Sequence, residues 1–218
     1  MVVLRGPYDS FPDPASAPGG EPVAIGGELS VSRLLTAYRI GIFPWTSRPV
    51  TWWSPDPRGI LELDGFHVAR SLQRVLRQAP FEVTFNRAFA SVIAACAERR
   101  ANRPTTWISS EFIRGYTQLH EAGHAHSVEC WQGGKLVGGV YGVQVGGLFA
   151  GESMFHRVSN ASKVALYHLV QRLRERGFVL FDLQQVNTTT VALGAIEIPR
   201  QQYLRRLRAA VELDCRFP

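Results

Sequence analysis

One aromatic, proline-rich segment restricts the possible folds of this chain more than any other: residues 38–61, "YRIGIFPWTSRPVTWWSPDPRGIL". Its four prolines each fix φ and lack an amide donor, so the segment cannot form a regular helix. It also holds three of the five tryptophans of the chain, Trp45, Trp52 and Trp53. A segment this irregular and this aromatic is predicted to be either a wrapped core element or the wall of a binding pocket.

The length and composition fit a globular protein. With 218 residues, 45% of them hydrophobic, the chain can form one large domain or a small domain joined to a larger one. We predict a small N-terminal domain over residues 1–61 and a sheet domain over 62–218. No run approaches the roughly 18 apolar residues of a membrane span, and the N-terminus lacks the features of a signal peptide. A cytoplasmic location without membrane contact is therefore expected.

The positive charge of the chain is almost all arginine. The net charge is +6, and only two of the 24 Lys and Arg residues are lysine. Because arginine suits planar, two-point contacts with phosphate, this balance favours nucleic acid as a partner. The alternative is that the arginine content reflects the base composition of the gene, and charge alone does not decide between the two.

Hydrophobic periodicity predicts helices alternating with strands. The helices are expected within 30–43, 67–80, 87–100, 109–123, 162–177 and 199–212, with Ser162 as the cap of the fifth. The strands are expected within 58–66, 81–86, 126–132, 135–147, 148–155 and 178–186. This order predicts an α/β or α+β fold in which helices cover the faces of a sheet.

The stretch "HEAGH", His120 to His124, matches the helical zinc motif of metalloproteases. That motif requires one helix to continue through both histidines, but Gly123 interrupts it where the apolar periodicity ends. A glycine there is typical of a left-handed residue just after a helix, so His124 is expected to lie outside the helix. The three cysteines form no CxxC pair, and no P-loop or dinucleotide motif is present. We therefore predict no metal site.

Three long blocks of the sequence resemble one protein family. They are "AYRIGIFPW" continued by "WWSPDPRGIL", then "GESMFHRVSNASKVAL", and then "FDLQQVNTTTVALGAIEIPR", with "TWIS" and "LHEAGHAHSVE" between them. Together they resemble the leucyl/phenylalanyl-tRNA–protein transferases from about residue 24 to residue 207. These blocks are long and ungapped, so they are far more specific than the short motifs considered above.

This resemblance implies a reaction and a fold. A leucyl or phenylalanyl group, sometimes a methionyl group, moves from aminoacyl-tRNA to the α-amine of a protein, usually one that begins with Arg or Lys. The product is thereby marked for N-degron proteolysis. The implied fold is a small N-terminal domain joined to an acetyltransferase-like (GNAT-type) mixed-sheet domain. Because the aminoacyl ester is already activated, no cofactor is expected, and we expect a monomer.

The resemblance also implies the site residues. Asp182 and Gln184 match the catalytic pair, and on a regular strand they would share one face, where Asp182 would orient and polarise Gln184. Glu152 and Asn187 match substrate-binding positions, and Glu152 is expected to pair with the acceptor amine or its side chain. The pocket for the esterified adenosine and the amino-acid side chain is expected to be lined by Tyr38, Trp45, Trp107, Tyr116, Phe149, Met154, Leu169 and Leu173. Core packing is the alternative for Trp52, Trp53 and Leu169.

Arg70, Arg74 and Arg77 follow one another at i, i+4 and i+7 on a predicted helix. This arginine stripe is predicted to contact phosphates of the tRNA acceptor stem, with a solvated helix face as the alternative. The family often carries histidine where this chain has Thr189, so a histidine proton relay cannot form there. More of the chemistry then falls to Asp182 and Gln184.

Three other interpretations stay open at this point. The chain could be an RNA-binding protein without catalysis, a transferase of leucine onto N-terminal Asp or Glu, or a zinc protease. A carboxylate in the acceptor site, such as Glu152, argues against acidic acceptors because like charges repel.

Overall fold

The structure is a computed structural model that describes residues 2–6, 9–99 and 105–218. Its smaller sheet contains four strands: β1 (Val2–Leu4), β2 (Ala24–Gly26), β3 (Phe43–Ser47) and β4 (Val50–Trp53). They lie in the order β1-β2-β4-β3, with β1 and β2 parallel and the other pairs antiparallel. The aromatic segment supplies two strands of this sheet, so its prolines exclude a regular helix, as predicted, but do not exclude strands.

The larger sheet has seven strands in the order β11-β5-β10-β9-β8-β7-β6. Only the central β10–β9 pair is parallel, and the other pairs are antiparallel. The strands are β5 (Arg58–Leu61), β6 (Glu82–Phe85), β7 (Ala125–Gln132), β8 (Lys135–Val145), β9 (Leu148–His156), β10 (Leu180–Gln184) and β11 (Ala195–Ile198). Apolar side chains from both faces of this sheet enter two buried clusters.

The described residues form seven α-helices. They are α1 (Val31–Arg39), α2 (Arg70–Gln78), α3 (Phe89–Ala97), α4 (Ser110–Glu121), α5 (Ala161–Glu175), α6 (Thr188–Ala192) and α7 (Arg200–Ala210). Six match the predicted helices, and the mixed α/β class is confirmed. Helix α6 was not predicted, because five residues are too few to show a helical period. Within the described residues, no helix is both long and apolar enough to span a membrane.

Two local predictions need correction. Ser162 is not the cap of α5: the helix begins one residue earlier, and Asn160 precedes it in a left-handed conformation with φ of 67°. Strand β5, which we placed in the N-terminal part, pairs with β10 and β11 in the larger sheet. The larger sheet therefore begins before position 62, and the division of the chain into two domains stays a prediction.

The tryptophans of the aromatic segment have different environments. Trp52 is fully buried in the core, and its indole N–H donates to the carbonyl of Gly26 at 2.8 Å. Trp45 and Trp53 are half-buried and pack against each other, with 5.4 Å between ring centroids. Core packing therefore accounts for Trp52, while Trp45 faces a cavity described below.

Candidate active site

The candidate site lies where β5, β10 and β9 run side by side in the larger sheet. Asp182 of β10 is level with Ile60 of β5 on one side and with Ala150 of β9 on the other. Glu152 follows two residues later on β9, and Gln184 two residues later on β10. Because β9 and β10 are parallel, the two side chains reach the same end of the sheet, and Gln184 Nε2 donates to Glu152 Oε1 at 3.1 Å.

The regular alternation from which we placed Asp182 and Gln184 on one face is interrupted. The register of β10 against β5 shifts between these two residues, and Gln184 has a φ of 59°. A tight turn accompanies the shift, in which the N–H of Gln185 donates to the carbonyl of Leu183 at 2.6 Å. Asp182 consequently contacts the backbone of Gln184, whose N–H donates to Asp182 Oδ1 at 2.9 Å, and not its side chain.

Asp182 is completely buried in an ion pair with Arg58. Arg58 Nε donates to one carboxylate oxygen at 2.8 Å and Arg58 Nη2 to the other at 2.6 Å, and the Tyr203 hydroxyl donates to the second oxygen at 2.8 Å. Burial by itself would lower the pKa of Arg58, but the negative charge of Asp182 raises it above its ordinary value. Sequence analysis missed both Arg58 and Tyr203, since arginine is seldom fully buried.

Glu152 is half-buried, and two phenols enclose its carboxylate. The Tyr38 hydroxyl donates to Glu152 Oε1 at 2.7 Å, and the Tyr116 hydroxyl donates to Oε2 at 3.2 Å. Burial raises the pKa of Glu152 to about 7, although the Tyr38 hydrogen bond opposes the rise. Burial also raises the pKa of both phenols well above the ordinary range, so they stay protonated donors. Glu152 is therefore a carboxyl group that changes charge near neutral pH.

Two cavities meet at Glu152. The aromatic cavity has a volume of about 140 Å³, and Phe43, Pro44, Trp45 and Trp107 form its apolar wall. The large cavity has a volume of about 830 Å³ and is lined by Val140, Met154, Leu166, Phe181 and the residues 187–190 among others. Both are also lined by Trp107, Glu152, Leu183, Gln184 and Gln185. An apolar space of this kind, with a few converging polar groups, is typical of a small-molecule or substrate site.

The structure brings some predicted site residues to these cavities and places others behind them. Trp45, Trp107, Glu152, Met154, Gln184 and Asn187 line one cavity or both. Tyr38 and Tyr116 are buried and reach the site through Glu152. Phe149, Leu169 and Leu173 lie in the core, where the Phe149 ring packs on Phe181. Leu166, one turn before Leu169 on α5, lines the large cavity instead and was not predicted.

Asn187 has a local structural role besides lining the large cavity. Its side-chain oxygen accepts from the backbone N–H groups of Thr189 and Thr190 at 2.9 and 3.0 Å, which caps α6. The Thr190 hydroxyl in turn accepts from the Asn187 N–H at 2.9 Å, completing a capping box. This cap fixes the rim of the large cavity, so Asn187 holds the loop that follows Gln184.

The arginine stripe lies on α2 and is exposed to solvent along its whole length. Its three side chains form no ion pair with any residue that the structure describes. The opposite face of the helix carries Leu72, which is buried in the core cluster. The predicted geometry of one apolar and one basic face is thus confirmed, while the contact with tRNA stays a prediction.

The histidine motif does not form the metalloprotease arrangement. Helix α4 ends at Glu121, Gly123 has a φ of 81°, and His124 lies outside the helix, as predicted. His120 Nδ1 contacts the carbonyl of Ala125 at 2.8 Å, and its ring stacks on Phe89. In residues 2–6, 9–99 and 105–218, no group of three His, Cys, Asp or Glu side chains is placed to hold a metal ion.

Comparison with known proteins assigns the chain to a family. Residues 60–208 match the sequence model of the leucyl/phenylalanyl-tRNA protein transferases, and residues 27–56 match the model of the N-terminal domain of the same proteins. The chain belongs to the leucyl/phenylalanyl-tRNA–protein transferase family. A transferase of this name from Pseudoalteromonas atlantica is 50% identical over 206 residues, which cover 93% of this chain and 88% of the relative. Another from Klebsiella pneumoniae is 51% identical and covers 94% and 88%.

The similarity to solved structures is more distant. A ribosomal-protein-alanine N-acetyltransferase from Brucella melitensis aligns with a TM-score of 0.36 and 17% identity, covering 50% of this chain and 81% of that one. The L-PGS structure from Bacillus licheniformis aligns with a TM-score of 0.45 and 11% identity, covering 76% and 56%. Membership of the transferase family rests on the sequence relatives, which cover nearly the whole chain.

Proposed function

We propose that this chain transfers a leucyl or phenylalanyl group from aminoacyl-tRNA to the α-amine of a protein that begins with Arg or Lys. The observation that carries the proposal, beside the family, is the position of Glu152 between two cavities. The aminoacyl end of the tRNA can extend through both cavities, so that its ester bond lies beside Glu152, where the acceptor amine can reach it. The acidic character of Glu152 suits a cationic acceptor, and its location at the junction suits the point where ester and amine meet.

The reaction requires the acceptor amine to lose a proton as it attacks the ester carbonyl. A new amide bond forms, the bond between the carbonyl carbon and the terminal ribose oxygen breaks, and that oxygen leaves with a proton. Glu152, with its pKa of about 7, is charged in much of the protein at neutral pH and can accept the proton of the amine. In protonated form it can return the proton to the ribose oxygen, so the side chain ends the cycle unchanged.

Gln184 is proposed to position the amine. Because the charged form of Glu152 only accepts hydrogen bonds, the amide nitrogen of Gln184 faces it, which turns the carbonyl oxygen of Gln184 away. That oxygen accepts no hydrogen bond from the described part of the chain. An incoming amine can donate to it and to Glu152 together, which would hold the nitrogen in line for attack.

The aromatic cavity is proposed to hold the terminal adenosine, because Trp45 and Trp107 offer flat surfaces for stacking a base. The large cavity is proposed to hold the amino-acid side chain against Met154 and Leu166. Both are apolar, and the unbranched, flexible Met154 can adapt to Leu, Phe and, in addition, Met. The arginine stripe is proposed to contact the acceptor stem. We also propose that the enzyme acts as a monomer in the cytoplasm, where aminoacyl-tRNA is made.

The proposal is tested with radiolabelled leucyl-tRNA and two peptides that differ only in beginning with Arg or Asp. Wild-type protein, without added ATP or metal, is expected to label the Arg peptide, and Glu152→Gln is expected to slow this by at least about a hundredfold, as for loss of a general base. Lys163→Gln, on the exterior of α5, serves as the matched control. Label on the Asp peptide alone would overturn the acceptor assignment. Bound tRNA without transfer would point to an RNA-binding protein instead.

A further inference from the structure

Asp182 has no capacity left for a substrate. A carboxylate offers about four acceptor positions, and the protein fills them all. Oδ1 accepts from Arg58 Nε at 2.8 Å and the Gln184 N–H at 2.9 Å, while Oδ2 accepts from Arg58 Nη2 at 2.6 Å and the Tyr203 hydroxyl at 2.8 Å. The residue is also fully buried. A proton of the acceptor amine therefore has no path to this carboxylate.

Arg58 is held as firmly as its partner. Its Nη1 donates to the carbonyl of Gly41 at 3.0 Å, and the guanidinium carbon Cζ lies 4.3 Å from the Tyr203 ring centroid and 5.0 Å from that of Phe43. Arginine alone combines a planar stacking surface with a two-pronged hydrogen-bond pattern, so lysine cannot reproduce these contacts. The pair thus joins four separate parts of the chain: the end of α1, strands β5 and β10, and helix α7.

The site backbone rests on this pair. The N–H of Gln184, in a left-handed conformation that residues other than glycine adopt rarely, is bound by Asp182 Oδ1. Directly after Arg58, Gly59 lies against the backbone of the same loop, and an added Cβ there would be 2.7 Å from the carbonyl carbon of Gln185. Strand β5 therefore supports the turn at Gln184 in two ways. The Arg58 side chain holds Asp182 in place, and Gly59, which has no side chain, leaves room for the backbone of the turn.

We propose that Arg58 and Tyr203 are positioning residues for the transfer reaction, which act by fixing Asp182 and, through it, the backbone conformation that aims Gln184 at Glu152. Asp182 is then a positioning residue as well and takes no part in moving the proton. This inference rests on the proposed function, since it assumes that the Gln184 side chain is what the reaction needs in place. The hydroxyl of Tyr203 acts through its hydrogen bond to Asp182, and Asp182 acts in turn on the backbone of Gln184.

The test is a double-mutant cycle between Tyr203→Phe and Gln184→Ala, measured as initial rates of leucyl transfer to an Arg peptide. Tyr203→Phe keeps the ring that stacks on Arg58 and removes the hydroxyl, which donates to Asp182 Oδ2 at 2.8 Å and accepts from Arg58 Nη2 at 3.3 Å. We therefore expect kcat to fall about tenfold, with KM for leucyl-tRNA within about twofold of wild type. In the Gln184→Ala background the same change is expected to alter kcat less than about twofold, because the side chain it positions is gone. Tyr167→Phe on α5 is the matched control.

Two further readouts separate positioning from a general loss of structure. The midpoint of the pH–rate profile is expected to stay unchanged in Tyr203→Phe, since neither Arg58 nor Asp182 exchanges a proton with substrate. Arg58→Lys is expected to lower kcat more than Tyr203→Phe does, again with less effect in the Gln184→Ala background. It is also expected to lower the melting temperature. If the kcat effects of Tyr203→Phe and Gln184→Ala multiply in the double variant, or if the pH midpoint moves in Tyr203→Phe, this inference is overturned. Neither result would contradict the transferase activity. No transfer by wild type would overturn the proposed function and this inference with it.

Discussion

Tyr38→Phe is expected to shift the pH dependence of leucyl transfer to higher pH, because it removes the hydrogen bond that most favours the charged form of Glu152. The Tyr38 hydroxyl lies 2.7 Å from Glu152 Oε1, and Tyr38 is 1% exposed, so water does not replace the lost donor readily. A hydrogen bond to a charged group contributes about 1.5 kcal/mol, which corresponds to about one pKa unit. The pKa of Glu152 should therefore rise from about 7 to about 8.

The magnitude follows from the charged fraction of Glu152. At pH 6 that fraction falls from about 9% to about 1%, whereas at pH 9 it stays above about 90% in both proteins. The ratio of the Tyr38→Phe rate to the wild-type rate is thus expected to rise about eightfold between pH 6 and pH 9. Taking the ratio removes the titration of the acceptor amine, because that titration is common to both enzymes.

The assay is initial-rate transfer from radiolabelled leucyl-tRNA to an Arg peptide at half-unit pH steps, with a blank at each pH for spontaneous ester hydrolysis. Tyr116→Phe is expected to give a smaller shift in the same direction, because its contact with Glu152 is longer, at 3.2 Å. Tyr203→Phe, which touches Asp182 instead, should give none. A Tyr38→Phe ratio that is equal at pH 6 and pH 9 would refute the assignment of Glu152 as the titrating base.

Three further predictions concern tRNA binding, the loop at Gln184 and stability. Replacing the arginine stripe by alanine should weaken tRNA binding and reduce the slope of log K against log salt by about 2 to 3, whereas alanine at Arg205 and Arg208 of α7 should change it less, as filter binding at several salt concentrations would show. Gly59→Ala should lower kcat at least about tenfold with tRNA affinity unchanged, because the added Cβ would displace the loop at Gln185. Gly20→Ala is the control, because a Cβ added there has no neighbouring atom within 4 Å. The free energy of unfolding of Glu152→Gln, minus that of wild type, should increase by up to about 3 kcal/mol as the pH rises from 4.5 to 7. Urea unfolding at several pH values measures this difference.

The sign of that last prediction follows from the direction of the shift. The pKa of Glu152 is higher in the folded protein than the ordinary value of 4.5, so the folded state binds the proton more tightly. Its contribution to stability is full below that ordinary value and is lost as the pH rises through about 7. Glutamine cannot ionise, so the stability of the Glu152→Gln variant does not fall for this reason as the pH rises. A stability difference that is constant with pH would contradict the raised pKa.

In the part of the chain that the structure describes, six of the seven helices and six of the seven strands of the larger sheet could be predicted, because their signals are local. Ser30, for example, precedes an apolar repeat and indeed caps α1, its hydroxyl accepting from the N–H of Arg33. Gly177 follows α5 in a left-handed conformation, as a glycine at that place predicts. Such features depend on residues a few positions apart, so a single sequence contains them in full. The activity could also be predicted from the sequence alone, because the long blocks that resemble one family are continuous in the chain.

The site geometry could not be predicted, because it depends on contacts between distant residues. Nothing local marks Arg58 as the partner of Asp182, 124 positions later in the chain, since an arginine between a proline and a glycine is ordinarily a surface residue. The bulge at Gln184 also leaves no signature, and the assumption of an unbroken strand placed its side chain relative to Asp182 incorrectly. The resemblance likewise favoured Leu169 and Leu173 as pocket residues, while Leu166, one turn before Leu169, lines the large cavity.

The environment of Glu152 also explains why it, and not Asp182, is suited to carry the proton. An α-amine has a pKa of about 8, so moving its proton to a glutamate with the ordinary pKa of 4.5 is unfavourable by about 5 kcal/mol. At a pKa of about 7 the same step is unfavourable by only about 1.4 kcal/mol, and the proton can pass on to the leaving oxygen without being trapped. Asp182, paired with Arg58 and closed to solvent, has no such freedom. The two carboxylates of the site therefore have different roles. Asp182, paired with Arg58, fixes the backbone, and Glu152, enclosed by two phenols, exchanges the proton.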